Sequence, residues 1–250
     1  MRIRIPWLLA GLCFLLPGCA AAKLPDKPAV EELSRSMDSW ETNMIIIRAA
    51  EKSGNLDIAL GTAKAEIAQR PDNQEGRLVL ARLQTRTGQP EQAMITLESC
   101  ARPGESSVLL EKARAGLALG LVPEAVEMLQ RSKEADPPHS LIWEIDKLSA
   151  VAADLSGDHD SAQNLYRALL GRQDDPGLRY NYGRSLISSG RYGQAVNILL
   201  PLVERVDMPQ ARVAAAAAMA KNKDVEGARN LLHGYMTDED INRVLKGKKI

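Results

Sequence analysis

Few side chains of this 250-residue chain have types and spacings that could perform catalysis. Its three histidines, His139, His159 and His233, are scattered over a predicted loop, a turn and a late helix, so no two share a helical face at metal-ligand spacing. The sequence has no Gly-x-Ser-x-Gly, no phosphate-binding glycine loop and no Cys-x-x-Cys. Asp158 and Asp160 stand at a predicted turn, where carboxylates cap helices. We therefore predict a protein that is not an enzyme and uses no metal, cofactor or small-molecule substrate.

The chain begins with the pattern of an exported lipoprotein. Two arginines precede an apolar segment that is too short to span a bilayer as a helix, as in a secretory signal. The segment ends in LPGC, residues 16–19, which resembles the bacterial lipobox, although Pro17 replaces the commoner Ala, Ser or Thr. That resemblance implies a signal peptide over residues 1–18, a covalent lipid on Cys19 and, because Ala20 follows, an outer-membrane anchor that faces the periplasm. The alternative is an ordinary signal peptide with a chance cysteine.

Cysteine usage agrees with an exported, lipidated chain. Cys13 lies in the signal and Cys19 carries the lipid, so Cys100 is the one thiol left and no internal disulfide can form. We expect Cys100 to be a small core residue on the second helix of a repeat, with a reactive thiol as the alternative.

Composition favours stacked helices and argues against a nucleic-acid partner. Aromatic residues make up 4% of the chain, which suits helices with close axes better than the strands of a β-sandwich. The formal net charge is zero, so long-range attraction to nucleic acid is not expected.

A short motif, Gly-x-x-x-x-Ala, recurs along the chain. Its five copies occupy residues 54–59, 88–93, 120–125, 157–162 and 190–195. Successive glycines are 34, 32, 37 and 33 residues apart, by subtraction of their positions. Such a period predicts repeated helical hairpins, in which Gly permits the positive φ that ends the first helix and Ala lets the second helix lie against it.

The hairpins resemble tetratricopeptide repeats (TPRs), and residues 180–209 are the best-preserved copy. Gly183 and Ala195 there match the small residues of the TPR pattern, which stand where two helices cross closely. The resemblance implies an all-α, right-handed superhelix, an α-solenoid, of about five to six hairpins with a C-terminal capping helix. The domain organisation that follows is a signal at 1–18, a lipidated cysteine and linker at 19–33, and a TPR domain at 34–250, with repeats near 40–73, 74–105, 106–142, 143–175, 176–208 and 209–235.

The last repeat and the fourth depart from the regular pattern. The sixth hairpin lacks the turn glycine and has Asn222 and Lys223 in its place. Thr237, with Asp240 three residues on, resembles a capping box that begins a terminal helix over 237–245. The longest interval precedes the fourth turn, where Pro137 and Pro138 predict an extended loop between repeats.

The TPR register also aligns a set of arginines. In TPR arrays the first helices line an inner groove, and position nine of each repeat usually points into it. That position holds Arg48, Arg82, Arg114, Val151 and Arg184 in the first five repeats. Such a ladder would bind an acidic or carboxylate-bearing segment of a partner through bidentate contacts, with Tyr180 and Asn181 as further contacts. The alternative is a set of solvated arginines that pair with neighbours such as Glu111 or Glu51.

The combination of lipobox and TPR units is similar to the TPR lipoproteins of the tight-adherence (Tad, Flp pilus) assembly system. LPGC, the stretch SGRYGQAVNILLPLVER at 189–205 and the alanine-rich stretch at 211–232 before a short terminal helix carry this resemblance. It implies a non-enzymatic adaptor that helps a pilus secretin or other Tad components assemble at the outer membrane. The alternatives are a type IV pilus pilotin, an adaptor for peptidoglycan hydrolases or, from another class, a periplasmic enzyme or enzyme accessory with unrecognised residues.

Overall fold

The computed structural model describes residues 39–136 and 139–247, and within these residues the chain is built from α-helices. The helices are α1 (Ser39–Lys52), α2 (Leu56–Gln69), α3 (Gln74–Arg86), α4 (Pro90–Glu98), α5 (Ser106–Ala118), α6 (Val122–Glu134), α7 (Ile142–Leu155), α8 (His159–Arg172), α9 (Pro176–Ser188), α10 (Tyr192–Leu199), α11 (Pro209–Lys221), α12 (Val225–Leu232) and α13 (Asp238–Leu245), with a 3-10 helix at Leu200–Leu202. The expected signal peptide, lipid site at Cys19, linker and Pro137–Pro138 loop lie outside the described residues.

The helices form six consecutive hairpins, α1 and α2 through α11 and α12, and each hairpin packs against the next. Buried alanine and leucine side chains from neighbouring hairpins form the core, which runs along the length of the stack. The predicted all-α solenoid of tetratricopeptide type is confirmed.

The repeated Gly-x-x-x-x-Ala motif forms the turn inside each of the first five hairpins. Its glycines have φ between 75° and 83°, and its alanines are fully buried. At Gly190 the backbone N–H donates to the carbonyl of Ile187 at 3.1 Å, and the next N–H, of Arg191, donates to Leu186 at 2.8 Å. These bonds satisfy carbonyls at the end of α9 and turn the chain back onto it.

The sixth hairpin keeps the same turn without a glycine. Lys223 takes the left-handed conformation, with φ of 70°. Its N–H donates to Ala220 at 3.1 Å, and that of Asp224 donates to Met219 at 2.9 Å. A side chain at this φ costs conformational energy that glycine avoids, so the turn is formed against the local preference of the sequence.

The two helices of the fifth hairpin pack tightly against each other at Gly183. A Cβ added there would lie 2.5 Å from Cγ and Cδ2 of Leu199, a side chain that is itself fully buried. Gly183 therefore lies at a close helix crossing, as the sequence predicts. Leu199 of α10 fills the space that a methyl group on Gly183 would take.

The terminal helix covers the end of the stack. Thr237 caps α13 by accepting a hydrogen bond from the N–H of Asp240 at 3.2 Å, as the capping-box pattern predicts. Ile241 and Val244 of this helix are buried against the last hairpin, where Leu232 is also fully buried. The apolar face of the sixth repeat is thereby removed from water.

We predict that Lys223→Gly raises the free energy of unfolding by about 0.5–1 kcal/mol, because it relieves a left-handed residue that bears a Cβ. Gly190→Ala at the equivalent turn should lower it by about 1 kcal/mol, since a Cβ there meets no atom within 4 Å and the cost is that of the backbone conformation alone. Urea unfolding measures the free energy of unfolding of both variants. A change of the same sign in the two variants would contradict this explanation of the turns.

We also predict that Gly183→Ala lowers the free energy of unfolding by about 1–3 kcal/mol, because the added methyl group overlaps Leu199. The matched control is Gly171→Ala, near the end of α8, where a Cβ would meet nothing within 4 Å. That control should stabilise the chain by about 0.5–1 kcal/mol, as Gly to Ala does in an open helical position. If Gly171→Ala lowered the free energy of unfolding as much as Gly183→Ala, the close helix crossing would not be the cause of the loss.

Candidate functional site

A groove crosses the first helices of repeats one to three, and we call it the arginine groove. It encloses about 360 Å³, and residues one turn apart on α1, α3 and α5 line it. The lining residues are Met44, Arg48, Glu51, Glu75, Leu78, Val79, Arg82, Ser107, Leu110, Glu111 and Leu141. Of the arginines that the sequence aligns, Arg48 and Arg82 thus lie in one groove.

The groove also carries carboxylates between its arginines: Glu51 and Glu111, which the sequence suggests as pairing partners, and Glu75, which it does not. Glu51 is bound by Arg86 of the next hairpin, and Glu75 accepts a hydrogen bond from the indole N–H of Trp40 at 3.1 Å. Glu111 accepts from Nε of Arg114 at 3.0 Å. Each glutamate therefore has a donor partner, and the groove alternates in charge instead of being uniformly basic.

The aligned arginines differ in whether a carboxylate already pairs with them. Arg114 pairs with Glu111 and also approaches Glu144 at 3.4 Å, as in the alternative of solvated, paired arginines. Within residues 39–136 and 139–247, no carboxylate lies within ion-pair distance of Arg48 or Arg82. These two guanidinium groups keep their hydrogen-bond donors available at the wall of the groove.

The other predicted contact residues lie at a second, smaller groove. Arg184 and Asn181 line a smaller groove of about 150 Å³ between α7 and α9, together with Val151. The guanidinium of Arg184 stands 5.9 Å from the ring centroid of Tyr180, a distance at which a cation interacts with an aromatic face. The structure therefore brings Arg184, Asn181 and Tyr180 together and separates them from the arginine groove.

The smaller groove has a polar floor that the sequence reasoning missed. One carboxylate oxygen of Asp154 accepts a hydrogen bond from the Ser185 hydroxyl at 2.6 Å and lies 2.9 Å from Nδ1 of His159. Burial, and secondarily the charge of Asp154 and a hydrogen bond to it, raises the pKa of Tyr166 above its ordinary value. These contacts join α7, α8 and α9. No spacing in the sequence could indicate them, because the four residues occupy unrelated positions in three helices.

The two acidic residues at the fourth turn have different roles. Asp158 caps α8 by accepting from the N–H of Ser161 at 3.1 Å, and hydrogen bonds from Ser161 hold the pKa of that carboxyl below its usual range. Asp160 does not cap the helix but pairs with Arg191 at 2.5 Å, so the expectation of a cap is wrong for this residue.

Cys100 is 6% exposed, as expected of a small core residue, and burial raises the pKa of its thiol. It does not lie on a helix, however, because α4 ends at Glu98. The thiol packs with Leu97 and Val108, where the chain passes from the second repeat to the third.

The described residues contain neither a metal-ligand cluster nor a membrane-spanning helix. Among residues 39–136 and 139–247, no three His, Cys, Asp or Glu side chains are grouped so that they could hold a metal ion. No helix in this part of the chain has the length and apolar character needed to cross a membrane.

Comparison with known proteins agrees with the geometry of the stack. Two tetratricopeptide-repeat family models match the chain, at residues 46–106 and 155–218. Among solved structures it is similar to TTC0263, a thermophilic TPR protein of Thermus thermophilus, with 19% identity and a TM-score of 0.61 over 72% of this chain and 98% of the other. It is also similar to PilW, a type IV pilus biogenesis factor, with 13% identity and a TM-score of 0.64 over 82% of this chain and 97% of the other.

At these levels of identity the solved structures show the fold alone. No curated protein sequence matches the chain significantly. The recurring turns, the six hairpins and both family matches lead to one conclusion: the chain is a tetratricopeptide-repeat protein.

Proposed function

We propose that the protein is a non-enzymatic adaptor whose arginine groove binds a carboxylate-bearing segment of a partner protein. The observation that carries this proposal is the pair Arg48 and Arg82, which line one groove and have no ion-pair partner within the described residues. A guanidinium group presents donors in a planar fork that matches a carboxylate, so an acidic side chain would be bound at each position.

The alternating charges of the arginine groove indicate which charge pattern the bound segment should have. Glu51 and Glu111 are neutralised by Arg86 and Arg114, whereas the one donor to Glu75 within the described residues is a neutral indole. A fitting segment therefore carries carboxylates opposite the two free arginines and tolerates a donor or cation opposite Glu75. A continuous run of acidic residues would meet repulsion from Glu75, which makes a mixed segment the better occupant.

We further propose that the protein is held at the outer membrane, facing the periplasm, by a lipid on Cys19. The support is the lipobox-like sequence LPGC. Acyl chains contribute about 0.8 kcal/mol for each buried CH₂ group, so several chains anchor a protein without a membrane-spanning helix. The groove would then be presented to partners in the periplasm.

The partner that best fits this combination is a secretin or another assembly component of a Tad (Flp) pilus system, with the chain acting as a TadD-like lipoprotein. Support comes from the lipobox, the repeats and the alanine-rich stretch before the terminal helix. A pilotin of a type IV pilus is the second candidate, and PilW, described as a type IV pilus biogenesis factor, has the same fold. The identity of the captured partner distinguishes the two.

We predict that Arg48→Glu combined with Arg82→Glu lowers recovery of the partner about tenfold or more, because both free donors are replaced by repelling carboxylates. The measurement is a crosslinking pull-down from native membranes with the tagged, full-length protein. Replacement of both residues by Lys should retain part of the binding, since the charge stays but the bidentate geometry is lost.

The matched control for that experiment is Arg131→Glu, an exposed change on α6 away from the groove. It should leave recovery unchanged, and thermal unfolding of every variant shows whether the fold is intact. Unchanged recovery with the double Glu variant would refute the arginine groove as the binding site. Recovery of proteins unrelated to pili would refute the pilus assignment and leave the adaptor role standing.

We predict that Cys19→Ser abolishes incorporation of radiolabelled palmitate in growing cells, because the acceptor thiol is lost. Cys100→Ser is the matched control and should incorporate label normally, since that thiol is buried in the core. Labelling of the Cys19→Ser protein, or none in the parent chain, would contradict the lipid anchor.

A further inference from the structure

A second groove lies at the opposite end of the stack, and we call it the C-terminal groove. It encloses about 540 Å³ between the segment that follows the 3-10 helix, the start of α11 and the segment that joins α12 to α13. It shares no residue with the arginine groove. The start of one first helix, α11, forms one wall, and the connections on either side of the hairpin of α11 and α12 form the others.

The walls of the C-terminal groove are largely apolar, and two of their apolar side chains are exposed. Val206 is 96% exposed and Tyr235 is 65% exposed at its rim, while Val213, Leu232 and Met236 line its interior. Removing such side chains from water is favourable by about 25 cal/mol for each Å² of apolar surface. Exposed apolar residues gathered around one concave surface are characteristic of an interaction site.

The floor of the groove holds a nearly buried cation. Arg212 is 9% exposed, and its guanidinium donates to the carbonyl of Val203 at 2.6 Å and to that of Leu231 at 3.2 Å. The ring of Tyr235 stacks on it, with its centroid 3.7 Å from the guanidinium carbon. Arg212 thus ties the two segments that form the walls, so the groove exists before any partner arrives.

Each cation around this floor has one carboxylate partner, and the partner of Arg212 is largely solvated. Among the described residues that line the groove, the only carboxylate belongs to Glu204, which approaches Arg212 at 3.3 Å but has a side chain that is 80% exposed. The second lining cation, Arg205, is bound by both oxygens of Asp207, at 3.1 and 2.9 Å. A cation buried among apolar walls with one solvated counterion favours a further carboxylate from an occupant.

We propose that the C-terminal groove is a second docking site, which takes an apolar protein segment that carries an acidic side chain. Its apolar residues cover Val206 and Tyr235, and its carboxylate lies toward Arg212. The volume accommodates several side chains, which suits a continuous segment better than a single inserted residue. This site is independent of the proposed role of the arginine groove, so either can fail without the other.

The test uses a phage-displayed library of random nonapeptides, selected on the full-length protein and then measured against variants at Val206. Enriched sequences should pair large apolar residues with Asp or Glu. Val206→Asp should weaken the selected peptides about tenfold or more, because it removes an apolar contact and repels the carboxylate, whereas Val206→Lys should weaken them about threefold or less. Both changes are at a fully solvated position, so neither should alter thermal unfolding.

Ile95→Asp, at an apolar position that is 56% exposed on α4, is the matched control and should leave peptide affinity unchanged. Enrichment of basic or purely apolar sequences, or a larger loss with Val206→Lys than with Val206→Asp, would overturn the proposal. So would self-association of the parent chain that Val206→Asp abolishes in sedimentation equilibrium, because a second copy would then be the occupant. Competition by an arginine-groove ligand would overturn the independence of the two sites.

Discussion

The stack depends on how closely the two helices of each hairpin approach one another. Five turns have a residue in the left-handed conformation, which glycine adopts without strain, followed by an alanine with no exposed surface. At Gly183 the approach leaves no room even for a methyl group. Because this contact fixes the angle and register of each hairpin, it also fixes which side chains of the first helices share a groove.

The register has a direct functional consequence. Arg48 and Arg82 lie at equivalent positions of successive first helices, and the stacking of those helices brings both into one groove. The same stacking brings Arg86 to Glu51, and it places Arg114 between Glu111 and Glu144. Identical repeat positions therefore differ in chemistry, since carboxylates on the same helix and on neighbouring helices decide whether each arginine is already paired.

The sequence was sufficient to predict features that repeat. The turn glycines, the buried alanines and the shared repeat position of the arginines follow from a periodic pattern, because every repeat packs in the same way, and the cap at Thr237 follows from a local motif. Features made by contacts between unrelated positions could not be predicted. The Asp154 cluster and the groove around Arg212 depend on three-dimensional neighbours that no period links. Lys223, which the sequence places at the sixth turn, takes a left-handed conformation there that its side chain disfavours, within a turn closed by backbone hydrogen bonds.

The most direct measurement of the central claim is an NMR titration of the arginine side chains, with ¹⁵N-labelled arginine in the full-length protein and a synthetic peptide of alternating Glu and Ser as the probe. If Arg48 and Arg82 are the free donors of the groove, their Nε–H signals will shift together as peptide is added. The signal of Arg114, which Glu111 already holds at 3.0 Å, will move little. Shifts of equal size at all arginines, including the exposed Arg131, or none at Arg48 and Arg82, would contradict the claim that this groove recognises carboxylates.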